Sequence, residues 1–357
     1  MKERLDRVRK IMAEKALDGV IVTGRANTFY LSGFTGSTSY LLIGRTDAWL
    51  VVDFRYTIQA KGQVREGIEV VELKESFLAT LDRIIAEEGM KSVGFEDNNL
   101  SYSEYERFRS KLTHAGKLVA VGNEIDMLRI RKDEEEIEAI AEAVKLGDRV
   151  FEQVLRVIKP GMKETELAAE IEYQMRKLGA SGPSFATIVG AGPRSAMCHA
   201  SPSENTIKPG DAVVLDFGVI YRNYCSDMTR TIFIGEPCEE MKKIYRIVKE
   251  AQQAALDCLA SGMPARDADK VARDIISRAG YGPNFGHSLG HGVGIEIHEE
   301  PRLSEKSDDI LLDGMVFSVE PGIYVEGLGG VRIEDLVVLT GGKPRDLTGS
   351  TKDMIVL

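Results

Sequence analysis

Short apolar runs alternate with longer amphipathic stretches over the first 125 residues, the pattern of an α/β domain. The apolar runs predict buried strands at residues 20–23, 41–43, 49–53, 93–95 and 118–121. The stretches with helical spacing predict helices at residues 1–17, 59–66, 77–88 and 103–112. We interpret residues 27–34, NTFYLSGF, as an aromatic loop or helical turn that a glycine closes.

A charged stretch marks the start of a second domain. Residues 124–126 include the acidic Glu124 and Asp126, and Asp133 with Glu136 three residues later is typical of a helix N-cap. We therefore predict domains at residues 1–125 and 126–357. The patterns beyond the cap predict a long helix, helices at 164–178 and 239–260, and strands around 185–189, 212–220 and 229–234.

The second domain contains an internal repeat. The matching segments are 160–179 with 261–280, 183–185 with 283–285, 199–202 with 298–301, and 210–218 with 314–322. Extending this alignment pairs six polar residues: Asp216 with Glu320, Asp227 with Glu334, and His199 with His298. A chance scatter of carboxylates would not pair in this way, so the repeat predicts two related halves.

Five residues of the repeat form a candidate set of metal ligands: Asp216, Asp227, His291, Glu320 and Glu334. Four carboxylates and one imidazole suit Mn²⁺, Co²⁺ or Zn²⁺. The carboxylates lie beside apolar runs, and acids on buried strands are unfavourable unless cations neutralise them. Two shared divalent cations would do so.

The segment 218–224 is predicted to be a hairpin turn, which could present Asp216 and Asp227 on one face. Taken singly, either aspartate could instead cap a turn. Arg332 and Glu334, two residues apart in a predicted strand, would share a face. Arg332 would then orient a metal-bound carboxylate, with a surface salt bridge as the alternative.

Two histidines, His287 and His291, are four residues apart, but the glycines around them make a regular helix improbable. We expect these glycines to let the backbone approach a substrate or metal closely. A lone histidine is more often structural, yet four of the five histidines fall in this region. Tyr324 is a candidate pocket hydroxyl, and an ordinary strand aromatic is an equally good interpretation.

The Asp–Asp–His–Glu–Glu order, with the segments HSLGHGVG and VEPGIY, resembles the pita-bread metallopeptidases, which include methionine aminopeptidase, aminopeptidase P and prolidase. The first 125 residues resemble the N-terminal domain of the Xaa-Pro peptidases in this group. The resemblance implies an α/β (α+β) fold, with a smaller creatinase-type domain before a pita-bread catalytic domain. It also implies two divalent metal ions per subunit, for which manganese is the first candidate and cobalt and zinc are the alternatives.

The same resemblance assigns roles to the ligands. Asp227 and Glu334 would bridge both cations, Asp216 would complete one site, and His291 with Glu320 would complete the other. A water activated between the cations would attack the peptide carbonyl, with Glu320 as the proton shuttle.

The resemblance also implies roles for the remaining polar residues. His199 and His298 would hydrogen-bond the substrate and the developing oxyanion. His287, Arg332 and Tyr324 are assigned to the substrate pocket.

The Xaa-Pro branch implies proline-containing peptides as substrates. A dipeptidase needs a cation for the free carboxylate, which Arg302, Arg332 or Lys306 could supply. Gly292 follows His291 where some prolidases carry arginine. We therefore expect aminopeptidase P activity, with prolidase as the alternative. A metal-free creatinase-like hydrolase or a non-catalytic binding protein is more remote, because both have lost ligands that this chain keeps.

The branch also implies a homodimer in which the N-terminal domain contacts the neighbouring active site, and residues 27–34 resemble the contacting segment. The net charge of −10, without a basic stripe, argues against nucleic acid as a partner. The four cysteines form no CxxC pair, and the charged N-terminal helix has no signal-peptide pattern. No apolar run approaches a membrane span, so we expect a cytoplasmic protein without a membrane partner.

Overall fold

The computed structural model of the chain describes residues 2–357. The chain divides into two compact units, Met1–Arg129 and Ile130–Leu357. The boundary predicted after residue 125 falls just before a 3₁₀ turn, Asp126–Arg129. This turn groups with the first unit because Asp126 accepts a hydrogen bond of 2.7 Å from Asn27.

The first unit is a mixed sheet with helices. Its elements are α1 (Lys2–Glu14), β1 (Gly19–Val22), α2 (Arg25–Ser32), β2 (Tyr40–Gly44), β3 (Ala48–Val52), α3 (Thr57–Gln63), β4 (Glu69–Glu72), α4 (Phe77–Glu87), β5 (Ser92–Phe95), α5 (Tyr102–Lys111) and β6 (Lys117–Ala120). The strand order is β4–β3–β2–β1–β5–β6. The sequence analysis misses β4, because this edge strand has the pattern EVVE, with only two apolar residues and no buried one.

Residues 27–34 lie mostly in α2 rather than in a loop. The side chains of Asn27, Tyr30 and Phe34 are almost fully buried in the first unit. Asn27 also donates a hydrogen bond of 2.5 Å to Glu96. These three side chains pack within the first unit, whereas Phe29 and Gly33 of the same segment are partly exposed. The contact of this segment with a neighbouring subunit stays a prediction.

The second unit has the two halves that the repeat predicts. The first half contains α6 (Glu134–Leu155), α7 (Glu164–Lys177), β7 (Gly182–Pro183), β8 (Ile188–Ala191), β9 (Ala212–Phe217), β10 (Val219–Tyr221), β11 (Tyr224–Cys225) and β12 (Met228–Phe233). The second half contains α8 (Glu239–Cys258), α9 (Ala265–Arg278), β13 (Gly290–Gly292), β14 (Glu299–Leu303), β15 (Val316–Val319), β16 (Gly322–Val325), β17 (Gly329–Arg332), β18 (Asp335–Thr340), β19 (Lys343–Asp346) and β20 (Ile355–Val356).

The two main sheets of this unit have the orders β20–β12–β9–β8 and β14–β13–β15–β18–β19. In the repeat, β8, β9 and β12 correspond to β13, β15 and β18. Asp227 immediately precedes β12, as Glu334 immediately precedes β18. Asp216 lies near the end of β9, and Glu320 directly follows β15. The acidic pairs in the sequence therefore occupy equivalent positions at the strand ends.

Each half of the second unit has its own apolar cluster. One forms around α6, α7, β9 and β12, and the other around α8, α9, β15 and β18. These clusters fix the helices against the sheets and so fix the strand ends that carry the acidic residues. All four cysteines are free. Among the helices described, none has the length and apolar character required to cross a membrane.

The predicted N-cap of α6 is a complete capping box. The Asp133 side chain accepts a hydrogen bond of 3.0 Å from the backbone N–H of Glu136, and the Glu136 side chain accepts one of 3.0 Å from the backbone N–H of Asp133. We expect Asp133→Ala to lower the free energy of unfolding by about 1 kcal/mol, because a cap side chain satisfies an otherwise unpaired N–H. Urea denaturation would measure this loss of stability. Glu135→Ala, at an exposed position of the same first turn, should change stability by less than about 0.5 kcal/mol. Equal losses in the two variants would contradict the cap.

Candidate metal centre

Asp227, His291 and Glu334 converge in the second unit, each offering a ligand atom within 4.8 Å of those of the other two. Glu320 joins them, because its Oε1 lies 3.4 Å from His291 Nε2. The same nitrogen lies 3.6 Å from Asp227 Oδ2. Asp216 adds its charge to the fields at Asp227 and Glu334. The structure thus gathers all five candidate ligands at one site.

The hairpin that leads to this site differs in detail from the prediction. Strands β9 and β12 pair antiparallel, with Asp216 opposite Thr229. Between them, β10 and β11 form a short hairpin with Arg222 and Asn223 in its turn. Asp227 lies just after this hairpin. The two aspartates are therefore close, although they are not direct cross-strand partners.

His291 is neutral and presents Nε2 to the carboxylates. Its Nδ1 lies 3.1 Å from the carbonyl oxygen of Gly292. Because a carbonyl only accepts, Nδ1 carries the proton and the Nε2 lone pair is free for a cation. Burial lowers the pKa of His291 to about 4, which keeps the ring uncharged at neutral pH.

The glycines beside His291 serve backbone packing. A Cβ at Gly290 would lie 1.9 Å from the carbonyl oxygen of Ser318, and one at Gly292 would lie 2.2 Å from that of Glu300. Any side chain at either position would collide with a neighbouring strand. For these two glycines the close partners are backbone atoms of the same unit rather than a substrate or metal, whereas a Cβ at Gly286 would meet no atom within 4 Å, so the expectation for that position stays a prediction.

The four carboxylates oppose one another's ionisation. Burial raises the pKa of Asp216, Asp227, Glu320 and Glu334. For Asp227, Glu320 and Glu334 the negative charges of neighbouring carboxylates raise the pKa further. For Glu320 the pKa rises to about 7. A nearby guanidinium, Arg332, acts in the opposite direction on all four groups. One cationic side chain does not balance four buried acids.

Two of the buried carboxylate oxygens match a site for cations. Asp227 Oδ1 and Glu334 Oε1 are buried and have no hydrogen-bond partner anywhere in residues 2–357. A buried unpaired oxygen is unfavourable unless it binds a cation. Together with His291 Nε2, these oxygens form a nitrogen–oxygen donor set suited to divalent first-row metals. The residues present therefore fit divalent cations.

Arg332 differs from its predicted geometry. It ends β17, whereas Glu334 lies in the gap before β18, so the two residues do not share one strand face. The Arg332 guanidinium instead forms an ion pair with Asp216. It also donates a hydrogen bond of 3.0 Å to Thr229 Oγ1, which donates one of 2.7 Å to Glu334. Arg332 thus orients Asp216 directly and Glu334 through Thr229.

His287 and Tyr324, both predicted to line the pocket, bond to each other. His287 Nδ1 lies 2.8 Å from the Ser288 carbonyl, so it carries the proton. Burial lowers the pKa of His287 to about 4, which leaves Nε2 as an acceptor 3.0 Å from the Tyr324 hydroxyl. Tyr324 also accepts a hydrogen bond of 2.7 Å from Arg332. Tyr324 therefore holds the Arg332 guanidinium by a direct hydrogen bond, and His287 in turn holds Tyr324.

His199 and His298, the symmetry-related pair, are the exposed histidines of the site. The His298 ring contacts the His291 ring edge to face, with centroids 4.4 Å apart. His199 is close enough to act electrostatically on Asp216 and His298. Both rings therefore border the carboxylates on the side open to solvent.

Thr229 and Ser318 also belong to the site, although neither is among the predicted site residues. Ser318 Oγ donates a hydrogen bond of 3.1 Å to Glu320 and accepts one of 3.1 Å from the backbone N–H of His291. Thr229 lies two residues after Asp227, and Ser318 lies two residues before Glu320. The two-residue periodicity of a strand could have indicated both hydroxyls.

Removing metal should leave a protein whose stability depends on this acidic cluster. A carboxyl whose pKa is raised in the folded state favours folding when protonated. For Glu320 this contribution is complete below the usual pKa of 4.5 and is lost as the pH rises through about 7. We therefore expect the Tm of EDTA-treated protein to rise by on the order of 5 °C between about pH 8 and pH 5.5.

Differential scanning calorimetry would measure this change. Glu320→Gln, which has no ionisable group, should show a smaller rise. The Tm of the Mn²⁺-loaded protein should instead fall as the pH is lowered, because protons compete with the metal for the same oxygens. A metal-free Tm that falls steadily on acidification would contradict this account of the site.

Both parts of the chain match families of known proteins. Residues 138–341 match the profile of metallopeptidase family M24, and residues 4–131 match the creatinase/prolidase N-terminal domain. The chain is 40% identical over 356 residues to the Xaa-Pro dipeptidase of Pyrococcus furiosus, which covers 99% of this chain and 100% of that protein.

Two solved structures are similar over nearly the whole chain. The Xaa-Pro dipeptidase from Bacillus anthracis has a TM-score of 0.97 at 41% identity, covering 100% of this chain and 99% of that one. The X-Pro aminopeptidase from Thermotoga maritima has a TM-score of 0.91 at 40% identity, covering 98% and 100%. These matches confirm the predicted fold class and the assignment as a hydrolase. The chain belongs to metallopeptidase family M24 and carries the N-terminal domain of its Xaa-Pro peptidase branch.

Proposed function

We propose that the protein is an Xaa-Pro dipeptidase, a prolidase, rather than the aminopeptidase P that was our first expectation. The similarity to the dipeptidases of Pyrococcus furiosus and Bacillus anthracis supports this choice. The similarity to the Thermotoga maritima aminopeptidase means that the similarity alone does not separate the two activities. The proposal therefore depends on one feature of the site, the position of Arg302.

Arg302 is well located to bind a free substrate carboxylate. It is the cross-strand partner of His291 in the β13–β14 pair, and such partners project from the same face. Burial is the largest cause of the lowered pKa of His291 and of His298, and the positive charge of Arg302 also lowers both. Within residues 2–357, its guanidinium has no hydrogen bond or ion pair, and it is exposed. It is therefore available to a ligand at the metal centre.

The two other candidate cations fit this role less well. Arg332 is buried and already bonded to Asp216 and Tyr324. Lys306 is exposed in the segment after β14 and has no cross-strand link to a candidate ligand. A guanidinium also binds a carboxylate through two parallel hydrogen bonds, which an ammonium group cannot do. Arg302 therefore binds the C-terminal carboxylate of the substrate, which limits the substrate to a dipeptide.

Asp216, Asp227, His291, Glu320 and Glu334 are proposed to hold two divalent cations, with manganese the first choice. Such a pair supplies Lewis acidity and an activated water at neutral pH. Glu320 lies beside the proposed cations, with its Oε1 3.4 Å from His291 Nε2, and its carboxylate is suited to accept a proton and to pass it on. The leaving nitrogen of an Xaa-Pro bond has no N–H of its own. Glu320 takes a proton from the attacking water and delivers it to the proline nitrogen as the peptide bond breaks.

The exposed histidines complete the substrate site. His199 and His298 border the carboxylates and can donate hydrogen bonds to the carbonyl oxygen of the scissile bond. His287 and Tyr324 hold Arg332, and so act on substrate only through the ligands that Arg332 orients. The homodimer, in which the N-terminal unit contacts the neighbouring site, and the cytoplasmic location both stay predictions.

Hydrolysis of Ala-Pro and Ala-Pro-Ala by the Mn²⁺-loaded protein tests the proposed activity. We expect release of proline from Ala-Pro, with kcat/KM for the tripeptide at least about tenfold lower, because Arg302 selects a carboxylate one residue beyond the scissile bond. An EDTA-treated sample is the control. Preferred cleavage of Ala-Pro-Ala, with release of alanine, would instead establish an aminopeptidase P.

The role of Arg302 has its own test. A charged hydrogen-bonded contact contributes about 1.5–3 kcal/mol, so Arg302→Ala should lower kcat/KM for Ala-Pro by about 10- to 100-fold, mainly through KM. Ala-Pro amide, which lacks the carboxylate, should be cleaved at similar rates by the variant and the wild type. Lys306→Ala should leave both substrates unaffected. Equal losses on Ala-Pro and Ala-Pro amide would disprove recognition of the carboxylate by Arg302.

A further inference from the structure

Arg230, the largest fully buried side chain of the protein, lies next to the metal centre, and the proposed chemistry does not use it. It lies in β12, three residues after the candidate ligand Asp227. A guanidinium has five N–H donors. Each one has a separate acceptor: Thr351 O at 2.9 Å, Thr229 O at 2.9 Å, Glu334 O at 2.6 Å, Asp335 Oδ1 at 2.6 Å and Ser350 O at 2.7 Å.

These contacts hold the candidate ligand Glu334 from three directions. Its carbonyl oxygen accepts from Arg230, and its backbone N–H donates a hydrogen bond of 3.1 Å to the Thr229 carbonyl. Its Oε2 accepts from the Thr229 hydroxyl at 2.7 Å. In residues 2–357 only Oε1 of this carboxylate lacks a partner. The residue is thus oriented so that one oxygen faces the other ligands.

The residue after Glu334 extends the network. Asp335 accepts from Arg230 on Oδ1, and its Oδ2 accepts from Lys352 Nζ at 2.7 Å and from Gln252 Nε2 at 2.6 Å. Asp335 is completely buried, and all three donors come from other elements. The backbone on both sides of the Glu334–Asp335 peptide bond is therefore fixed by side chains.

The C-terminal segment 350–352 closes this network from the opposite side. It contributes the carbonyls of Ser350 and Thr351 to Arg230 and the ammonium of Lys352 to Asp335. Asp148 of α6 holds the segment by accepting from the backbone N–H of Ser350 at 2.9 Å. A segment remote in sequence from every candidate ligand is therefore joined to Glu334 through Arg230.

A buried ion pair alone would not explain this arrangement. Replacing such a pair with apolar residues is often neutral or stabilising. An apolar side chain, however, could not bond to four backbone carbonyls in the way that Arg230 does. What Arg230 provides, beyond charge balance with Asp335, is a fixed position for the backbone of Glu334.

We propose that Arg230 is a positioning residue for the metal ligand Glu334, and that segment 350–352 keeps Arg230 in place. The inference rests on the proposed two-metal site and adds a partner that acts through Glu334 rather than on the substrate. Groups that orient a metal ligand raise the affinity for the metal. Arg230 therefore acts on metal binding, and its effect on the dipeptide is indirect.

The test compares Mn²⁺ binding to wild type, Arg230→Lys and Lys352→Met by equilibrium dialysis. Arg230→Lys keeps a charge for Asp335 but cannot reach five acceptors, and we expect about 10- to 100-fold weaker binding at one site or both. Lys352→Met leaves Arg230 intact and loosens segment 350–352, so its binding should weaken about tenfold. In both variants, saturating Mn²⁺ should restore most of kcat, with KM for Ala-Pro unchanged.

Ile171→Val, a core change in α7 remote from the network, controls for a general loss of stability. It should lower the Tm while leaving the Mn²⁺ affinity unchanged. Wild-type affinity in Arg230→Lys would overturn the inference, and so would an equal loss of affinity in Ile171→Val. If Arg230→Lys does not fold, Lys352→Met decides in the same way. Failure of the wild type to bind Mn²⁺ would overturn the proposed function itself, and with it this inference.

Discussion

Three buried carboxylates and the partly exposed Glu320 repel one another at one site, and this repulsion is the constraint on which the second unit depends. Each of them has a raised pKa, and two of their oxygens have no hydrogen-bond partner in the part of the chain that the structure describes. Such an arrangement is stable only if something cationic is shared among them. Arg332 supplies one positive charge and bonds to Asp216. Divalent cations bound between the remaining carboxylate oxygens would supply the positive charge that the site still lacks.

The fold can hold these acids because two equivalent halves each bring a pair of them to a strand end. Asp227 and Glu334 precede corresponding strands, and Asp216 and Glu320 lie at the ends of another corresponding pair. The halves are then joined by side chains of β12. Thr229 and Arg230 bond to Glu334, and Thr231 bonds to the backbone of Arg332 at 3.0 Å. The same residues of β12 therefore set the ligand geometry and join the two halves.

The sequence predicts features that depend on local patterns or on the repeat. The cap of α6, most helices and strands, and the equivalence of the acidic pairs are features of this kind. It does not predict β4, whose apolar pattern is too short, or the burial of α2. Arg230 cannot be identified either, because its acceptors come from β12, from residues 334–335 and from the C-terminal segment. Such convergence exists only in the folded chain.

The most direct test of the central claim is the proton balance of metal binding. Isothermal titration of the metal-free protein with Mn²⁺ at pH 7, in buffers with different heats of ionisation, gives both stoichiometry and proton release. We expect two Mn²⁺ per chain and release of at least about half a proton, because Glu320 is about half protonated at a pH equal to its pKa of about 7 and must ionise to bind. Binding of a single ion without proton release would contradict it.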